Sequence, residues 1–490
     1  MKRLIVIVFI IFGAFLTFSL YRTFAYDTSV VEEVPSTTDL EYTFKIGNSS
    51  IKQITVDSGE TRYYDIVLGN PNNAKISYSV YYEMVSPSSK PDGYSIGYTS
   101  KSTGTSTGKV DKNGNITLNI VVTNTSSSTV TVKIGTVAGY VNGGELTLGS
   151  GQVVIPNAPV NAVELITKLN DNSSGDSGSG VYKIEHSAIP ASSSATGSEI
   201  PASIDYRYYG SSPNNYICLD MEGQSTCPDK HLYRIIGSIY EEKENTNRIK
   251  LIKATPLTDG TTKNFSWDYK VNNGSGSYDN IWATITSGNY SNSLTNGSQL
   301  MKLLNSGAWW NGTSGSYYNN STTATTVNFT NYKLSDKAKS YITTSRYYLG
   351  GYNTSRGVMT NQFYTYERGT ARYGTNRPLY WDGMVGLMYP SDYGYAAGSS
   401  CATGTGLYSY DRGCKNKDWL YILKSDEEWL MFPKSDFSIN VFFLNLYGFV
   451  ENDSYNGVYI VRSVRPTFYL TSSTFITLGT GTLTDPYILG

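Results

Sequence analysis

"ISYSVYYEM", residues 76–84, decides how this chain is read. Ile76, Tyr78, Val80, Tyr82 and Met84 fall on every second position, which places them on one face of a strand; a helix would need a period of about 3.6. The same alternation returns in "ITLNIVV" (116–122) and "TVTVKIG" (129–135). Between the runs stand turn signals: "DSGE", "GNPNN", "DKNGN", "TNTSSS" and "NGGE". Short strands at 8–12-residue spacing predict a β-sandwich or barrel of about seven to eight strands, beginning near Glu41 and ending near Pro156.

Composition sets the wider frame. A chain of 490 residues has room for two to four domains. Charged residues make up 16%, below the roughly 25% usual for soluble proteins, while Gly and Tyr are abundant. That balance suits a β-rich extracellular protein, with tyrosine and threonine on pleated surfaces. The formal net charge of −1 leaves no electrostatic footprint for nucleic acid.

The first residues read "MKRLIVIVFIIFGAFLTFSLYRTFAYD". Lys2 and Arg3 precede an apolar run over 4–20, and "TFA" offers a cleavage site at Ala25. The layout fits a cleaved signal peptide or an uncleaved signal-anchor. In either case the body after Tyr26 is expected outside the cell, secreted or held as a single-pass membrane protein. A pilin-type signature is absent. The predicted organisation is therefore 1–25 signal peptide or anchor, 26–40 stalk, 41–156 all-β sandwich, 157–202 a short helix with Gly/Ser-rich linker, and 203–490 an α+β, β-rich domain. The helix is read in "PVNAVELITKLN", from Val163, Ile166 and Leu169; "DNSSGDSGSG" and "PASSSATGSEIPAS" carry the linker composition. In the last region "LYRIIGSIY" and "RIKLIKA" predict a hairpin. "SLTNGSQLMKLLNSG" and "KLSDKAKSYI" predict short helices, the second capped by Ser335.

Two resemblances add to this reading. "TRYYDIVLGNPNNAKISYSVYYEM" (61–84) resembles the immunoglobulin-like modules of Gram-positive surface proteins, which implies a spacer or adhesin module. The ordered pieces "IDYRYYGSSPNNYICLD", "GLMYPSDYGYA", "CATGTGLYSYDRGC", "WLYILKSDEEWLMFP" and "VYIVRSVRPTFYL" resemble a family of secreted or membrane-anchored surface proteins of Firmicutes and Mollicutes-like bacteria. The segment 419–470 also resembles C-type-lectin or formylglycine-enzyme-like domains. That likeness implies that Arg462 and Arg465 brace the core, with a ligand-binding arginine the alternative.

The chemistry-bearing residues are few. Cys218 and Cys227 lie nine apart, and Cys401 and Cys414 thirteen apart. Neither spacing suits zinc or a thioredoxin-type pair, so two local disulfides are expected in an exported chain, with crossed pairings the alternative. "DKNGN" lacks the glycine and glutamate that complete a calcium loop and reads as a hairpin turn. No nucleophile elbow or phosphate-cradling loop occurs, and no cofactor or metal ligand set is expected. Asp426, Glu427 and Glu428 read as a solvated turn. Asp382 and Asp392 sit among aromatics, where they serve either a sugar site or a capped turn. Tyr389, Asp392, Tyr393, Tyr395, Tyr408 and Tyr410 form the candidate binding group, because tyrosines on an ordered loop make good contacts; the competing reading packs them on the domain's own strands. The expected function is a non-catalytic surface protein presenting a glycan- or protein-binding domain. The alternatives are a wall- or glycan-acting hydrolase and a structural or pilus-like subunit.

Overall fold

The structure is a computed structural model. It describes residues 43–46 and 53–489, except 92, 99–106, 142–145, 156–159, 171–174, 177, 225, 273–274, 278, 287–288, 294–296, 376, 423–425 and 453–456. The expected signal segment and stalk lie outside the described residues. Among the described residues no helix is long and apolar enough to cross a membrane. The architecture is mostly β-sheet with few, short helices. The chain divides into two compact units, Met1–Ala158 and Pro159–Gly490.

Among the described residues the first unit holds nine strands: β1 (Thr43–Ile46), β2 (Gln53–Val56), β3 (Glu60–Gly69), β4 (Ile76–Ser86), β5 (Tyr94–Tyr98), β6 (Thr107–Val110), β7 (Asn115–Asn124), β8 (Val130–Tyr140) and β9 (Gln152–Val154). One sheet runs β1-β3-β7-β5 and the other β2-β8-β4-β6, with β9 also on β4. The alternation read from sequence is the packing: Ile76, Tyr78, Val80 and Tyr82 of β4 share one core with Leu118, Ile120 and Val122 of β7. Met84 is only partly buried against it. Tyr81, on the opposite face, is also covered. It lies across from Gly135 on β8, where a Cβ would come 2.4 Å from its hydroxyl. The "DKNGN" turn joins strands of different sheets rather than closing a hairpin.

Two buried asparagines hold the crossings between these sheets. Asn70 follows β3 and donates to the carbonyls of Ala74, Val110 and Asp111 at 2.8–3.1 Å. Asn124 ends β7 and donates to the carbonyls of Val56 and Ser128, both at 2.9 Å, while its Oδ1 accepts from the Ser126 amide and hydroxyl. Each side chain satisfies backbone groups that a sheet-to-sheet corner leaves unpaired.

The second unit is built on one large sheet. Its path is β10 (Val160–Asn161), Phe475–Leu478, Tyr487–Leu489, β13 (Tyr216–Cys218), β14 (Leu232–Glu241), β15 (Thr246–Lys253), Thr467–Leu470 and Ile342–Thr343. β14 and β15 form the expected hairpin and are buried almost continuously, as strands covered on both faces are. Gly237 sits at their register shift, where a Cβ would meet the Tyr206 carbonyl at 2.3 Å.

The described residues of 160–202 are largely paired into the second unit. β11 (Gly180–His186) pairs along its whole length with β12 (Ser203–Tyr209), which joins the main sheet at β14. The Ser-rich segment between them is tied by reciprocal bonds between Ile189 and Ile200 and by Ala195 donating to the Arg368 carbonyl. Its composition resembles a flexible linker because small polar residues also suit a close, well-bonded connection. The helix Ala162–Lys168 forms as expected, capped by Asn161, although Leu169 is exposed. Helices Gln299–Asn305 and Asp336–Ser340 follow the sequence reading, and Ser335 caps the second by accepting from the Ala338 amide at 3.0 Å.

Asn124→Ala should cost about 1–3 kcal/mol, the penalty for stranding the buried Val56 carbonyl. It should lower the urea midpoint of the first unit's transition, whereas Asn119→Ala, on the opposite, half-exposed face of the same strand, should leave that midpoint nearly unchanged.

Candidate ligand cleft

The carboxylates singled out in the sequence are engaged in ion pairs. Asp392 lies at the third position of the helix Pro390–Tyr395, and its Oδ2 accepts from the Tyr389 amide at 3.0 Å. It also accepts from Arg207 Nη1 at 2.7 Å and Lys250 Nζ at 2.5 Å. Burial opposes its charge, but Lys250 and Arg207 outweigh that and hold the carboxyl below its ordinary value. Arg207 in turn pairs with Asp205, which His186 also contacts at 3.0 Å. Beside this group the Glu367 carboxylate accepts from the Ser391 amide and hydroxyl and pairs with Arg368. Burial nevertheless pushes Glu367 up from 4.5 to about 7.

Asp382 is bound by Arg346 through Nε and Nη2 at 3.0 and 3.2 Å. Glu428 does not lie in a solvated turn. It is 1% exposed, begins the strand Glu428–Pro433, and takes two bonds from Arg465 at 2.7 and 2.8 Å. Its neighbour Glu427 accepts from Arg462 Nε at 2.9 Å. The Arg462 guanidinium lies 4.3 Å from the Trp429 ring centroid and 3.7 Å from that of Phe443. Both arginines therefore brace buried structure.

The tyrosine group divides. Tyr389, Tyr393, Tyr395 and Tyr410 are buried, as is Asp392, so these five do not form an exposed binding surface. The helix Pro390–Tyr395 packs against the main sheet: Lys250 sits over the Tyr389 ring at 4.4 Å and Arg207 over Tyr395 at 5.1 Å. Tyr410 donates to Asp418 and meets Tyr393 edge-on at 5.3 Å. Tyr408 alone is half-buried, with Arg356 5.0 Å from its ring centroid.

Tyr408 and Ser409 form one side of a cleft of about 480 Å³, whose other lining residues are Glu427, Asn445, Leu446, Tyr447, Phe449 and Glu451. Its size falls within the range of small-ligand sites. The first wall is the segment between Cys401 and Cys414, which are disulfide-bonded, as are Cys218 and Cys227. Within it Leu407 and Tyr410 are buried while Tyr408 lies between them, and the Leu407 amide bonds the Val358 carbonyl at 3.0 Å.

The second wall is the turn between strands Val441–Leu444 and Val450–Glu451. Asn445 Oδ1 accepts from the amides of Tyr447 and Phe449, both at 2.9 Å, and its amide donates to Glu451 Oε1 at 2.7 Å. Gly448 carries a φ of 77°, and a Cβ there would lie 2.6 Å from Lys415. The turn's carbonyls are held from outside by Tyr421 on Leu446, Lys415 on Tyr447 and Tyr393 on Gly448. This fixed backbone leaves the Tyr447 ring 65% exposed. Exposed aromatic rings beside carboxylate and hydroxyl groups can stack on a sugar face while accepting from its hydroxyls.

Of the sequence candidates, only Tyr408 and Glu427 reach this cleft. Asn445, Tyr447, Phe449 and Glu451 were not singled out. Their signal is "NLYG" at 445–448, a turn with an aromatic at its tip between two apolar runs. Among the described residues no three His, Cys, Asp or Glu side chains gather as metal ligands.

No family model matches the chain, and no curated protein matches it. Among solved structures, the chain is similar to the ASH / PapD-like domain 7 of human CEP192 at 14% identity and a TM-score of 0.14. The match spans 23% of this chain and 90% of that domain, a likeness too slight to carry a conclusion.

The Glu367 carboxyl keeps its proton to a higher pH in the folded chain than in the unfolded one. Its contribution to stability is therefore lost as pH rises from about 4.5 through about 7. Glu367→Gln should remove that loss. Its melting temperature relative to the parent should rise between mildly acidic and mildly alkaline pH, an advantage of about 3 kcal/mol at the alkaline end; a constant difference would show that Glu367 does not titrate in this window. His186, whose pKa is lowered by burial, weakens both chains alike at low pH and cancels in the comparison.

Proposed function

We propose that this chain is a non-catalytic cell-surface protein that presents a glycan-binding domain. In this reading, the run over residues 4–20 exports the chain and is either kept as an anchor or removed near Ala25. The first unit serves as an immunoglobulin-like spacer, and the second, lectin-like unit carries the ligand site. The resemblance to bacterial surface proteins supports this arrangement. So do the two disulfides, which persist where thiols are oxidised.

The observation that carries the reading is the cleft between Tyr408 and Tyr447, with its exposed ring on a fully bonded turn. A rigid aromatic platform loses little entropy on binding and tolerates the apolar face of a pyranose. Glu427 and Glu451 also line the cleft, which keeps the hydrolase reading in view. Hydrolysis needs one carboxyl free to give a proton and a second placed to attack or activate water. Glu427 is held by Arg462 and Glu451 accepts from Asn445, an arrangement suited to fixed acceptors. This favours binding.

A glycan array probed with the purified full chain tests the proposal. Tyr447→Ala should abolish the strongest signals while the melting temperature stays within about a degree, because an exposed ring contributes little to folding. Tyr410→Ala should instead destabilise by about 3–4 kcal/mol through the cavity it leaves. An array with no signal above background for the parent chain overturns the glycan reading.

Export has its own check. Protease added to intact cells should cut the chain at positions beyond residue 27, and complete protection of the body would refute surface exposure.

A further inference from the structure

A second cavity in the second unit shares no lining residue with the cleft. Trp267, Trp282, Ala283, Leu349 and Met431 are buried in its wall. It encloses about 20 Å³, room for one methyl-sized group. Tyr373 is the exposed member of its lining, and Arg372 and Arg377 are half-buried, which puts the mouth on their side. Among the described residues, several polar groups of this wall are left over after the protein's own bonding. Asn280 gives its amide to the carbonyls of Lys434, Phe437 and Asn440 at 2.9–3.0 Å, which fixes its orientation and leaves the buried Oδ1 without a donor. Trp267 donates Nε1 to the Ile281 carbonyl, but Trp282 Nε1 is buried with no acceptor. Arg377 pairs with Asp279 through Nη2 and lies 5.0 Å from the Tyr373 ring centroid, while its Nη1 is buried and unbonded. Arg372 donates to the Arg377 carbonyl and meets no carboxylate. Asp279 is matched by Arg377 and Arg372 is unmatched, so the rim carries a net positive charge. Two donors and one acceptor left unbonded in a buried wall are costly and call for a partner.

We propose that this cavity captures the C-terminal residue of a peptide and that its size selects alanine. Such a residue offers one carboxylate, one N–H and one methyl group. The carboxylate complements the unmatched Arg372 and the leftover donors of Trp282 and Arg377, because a planar guanidinium is a preferred partner of carboxylates. The N–H is the donor that Asn280 Oδ1 lacks. The methyl group fills the apolar space between the tryptophans, which glycine would leave empty and valine would overfill. Capture of a terminal carboxylate is a recurrent mode of peptide recognition. The proposal does not rest on the glycan reading.

The test is ligand-observed NMR titration of the full, disulfide-intact chain with acetylalanylalanine in its all-L and all-D forms. The better form should bind with a Kd of about 1 mM, the ordinary efficiency of a ligand of this size. A C-terminal glycine should weaken binding about fourfold, the worth of one buried methyl group, and a C-terminal valine should weaken it as well. The C-terminal amide should bind about tenfold or more weakly, because it loses a charge-assisted hydrogen bond. Replacing the last N–H by an ester oxygen should also reduce affinity. Arg372→Gln should bring the acid down to the affinity of the amide while the amide and the melting temperature stay nearly unchanged. Tyr447→Ala, in the cleft, should alter none of these values. No binding of either form at about 10 mM, ten times the expected Kd, leaves the unbonded groups to a buried water and overturns the site. Equal binding of acid and amide overturns the role of the carboxylate, and a preference for glycine or valine overturns the selection of alanine. Binding that survives Arg372→Gln unchanged overturns the assignment to this cavity. None of these outcomes touches the glycan reading, which stands or falls on the array.

Discussion

The second unit depends on the pairing of Asp392 with Arg207 and Lys250. The two cations sit on adjoining parts of one sheet, and the carboxylate sits at the start of a short helix. Desolvating three charges is costly and is offset only when their hydrogen bonds are well satisfied. Here Arg207 also reaches Asp205, and the Tyr389 amide also reaches Asp392. The result fixes one position and one rotation for the helix Pro390–Tyr395. Tyr393, on that helix, then donates to the Gly448 carbonyl at 3.0 Å and supports the turn that displays Tyr447. The exposed ring is thus held in place by a charge cluster that contains none of the cleft's own residues.

What could be read from the sequence follows from the range of each interaction. Period-two alternation in β4 and β7, the β14–β15 hairpin and the Ser335 cap are local patterns, and each appears where the chain placed it. The fate of Asp392 was not readable, because its partners lie 185 and 142 residues away. Tyrosine posed a different problem. Tyr408 and Tyr410 are two residues apart and have the same chemistry, yet Tyr408, within the 3-10 turn Leu407–Ser409, is half-buried while Tyr410, just after it, is buried. Composition alone does not report which. Glu427 and Glu428 show the same ambiguity, since each needs an arginine from a distant strand, and the sequence offers Arg462 and Arg465 without saying which carboxylate is covered. The Gly/Ser-rich region misled for the opposite reason: low side-chain bulk is required both by a free linker and by a hairpin crossing packed against neighbouring backbone.

The low charge content also takes on a physical meaning. Many of the second unit's ionic groups, among them Asp205, Arg207, Lys250, Glu367, Arg368, Glu428, Arg462 and Arg465, are buried. Fewer remain for the surface. A neutral polar exterior gives little long-range steering.

The position of β10 has a mechanical consequence. This strand, only two residues long, is where the chain enters the second unit, and it pairs at the sheet's edge with Phe475–Leu478. In a protein held from its N-terminal side and pulled at the cleft, tension enters the fold through that edge. Antiparallel edge pairs loaded at one end open bond by bond, so β10 and the helix Ala162–Lys168 would peel away before the inner strands bear load. The tether would lengthen by several residues while the walls around Tyr408 and Tyr447, one of them closed by the Cys401–Cys414 bridge, keep their shape. The fold thus places a two-residue edge pairing where the chain enters the second unit and a disulfide in one wall of the cleft.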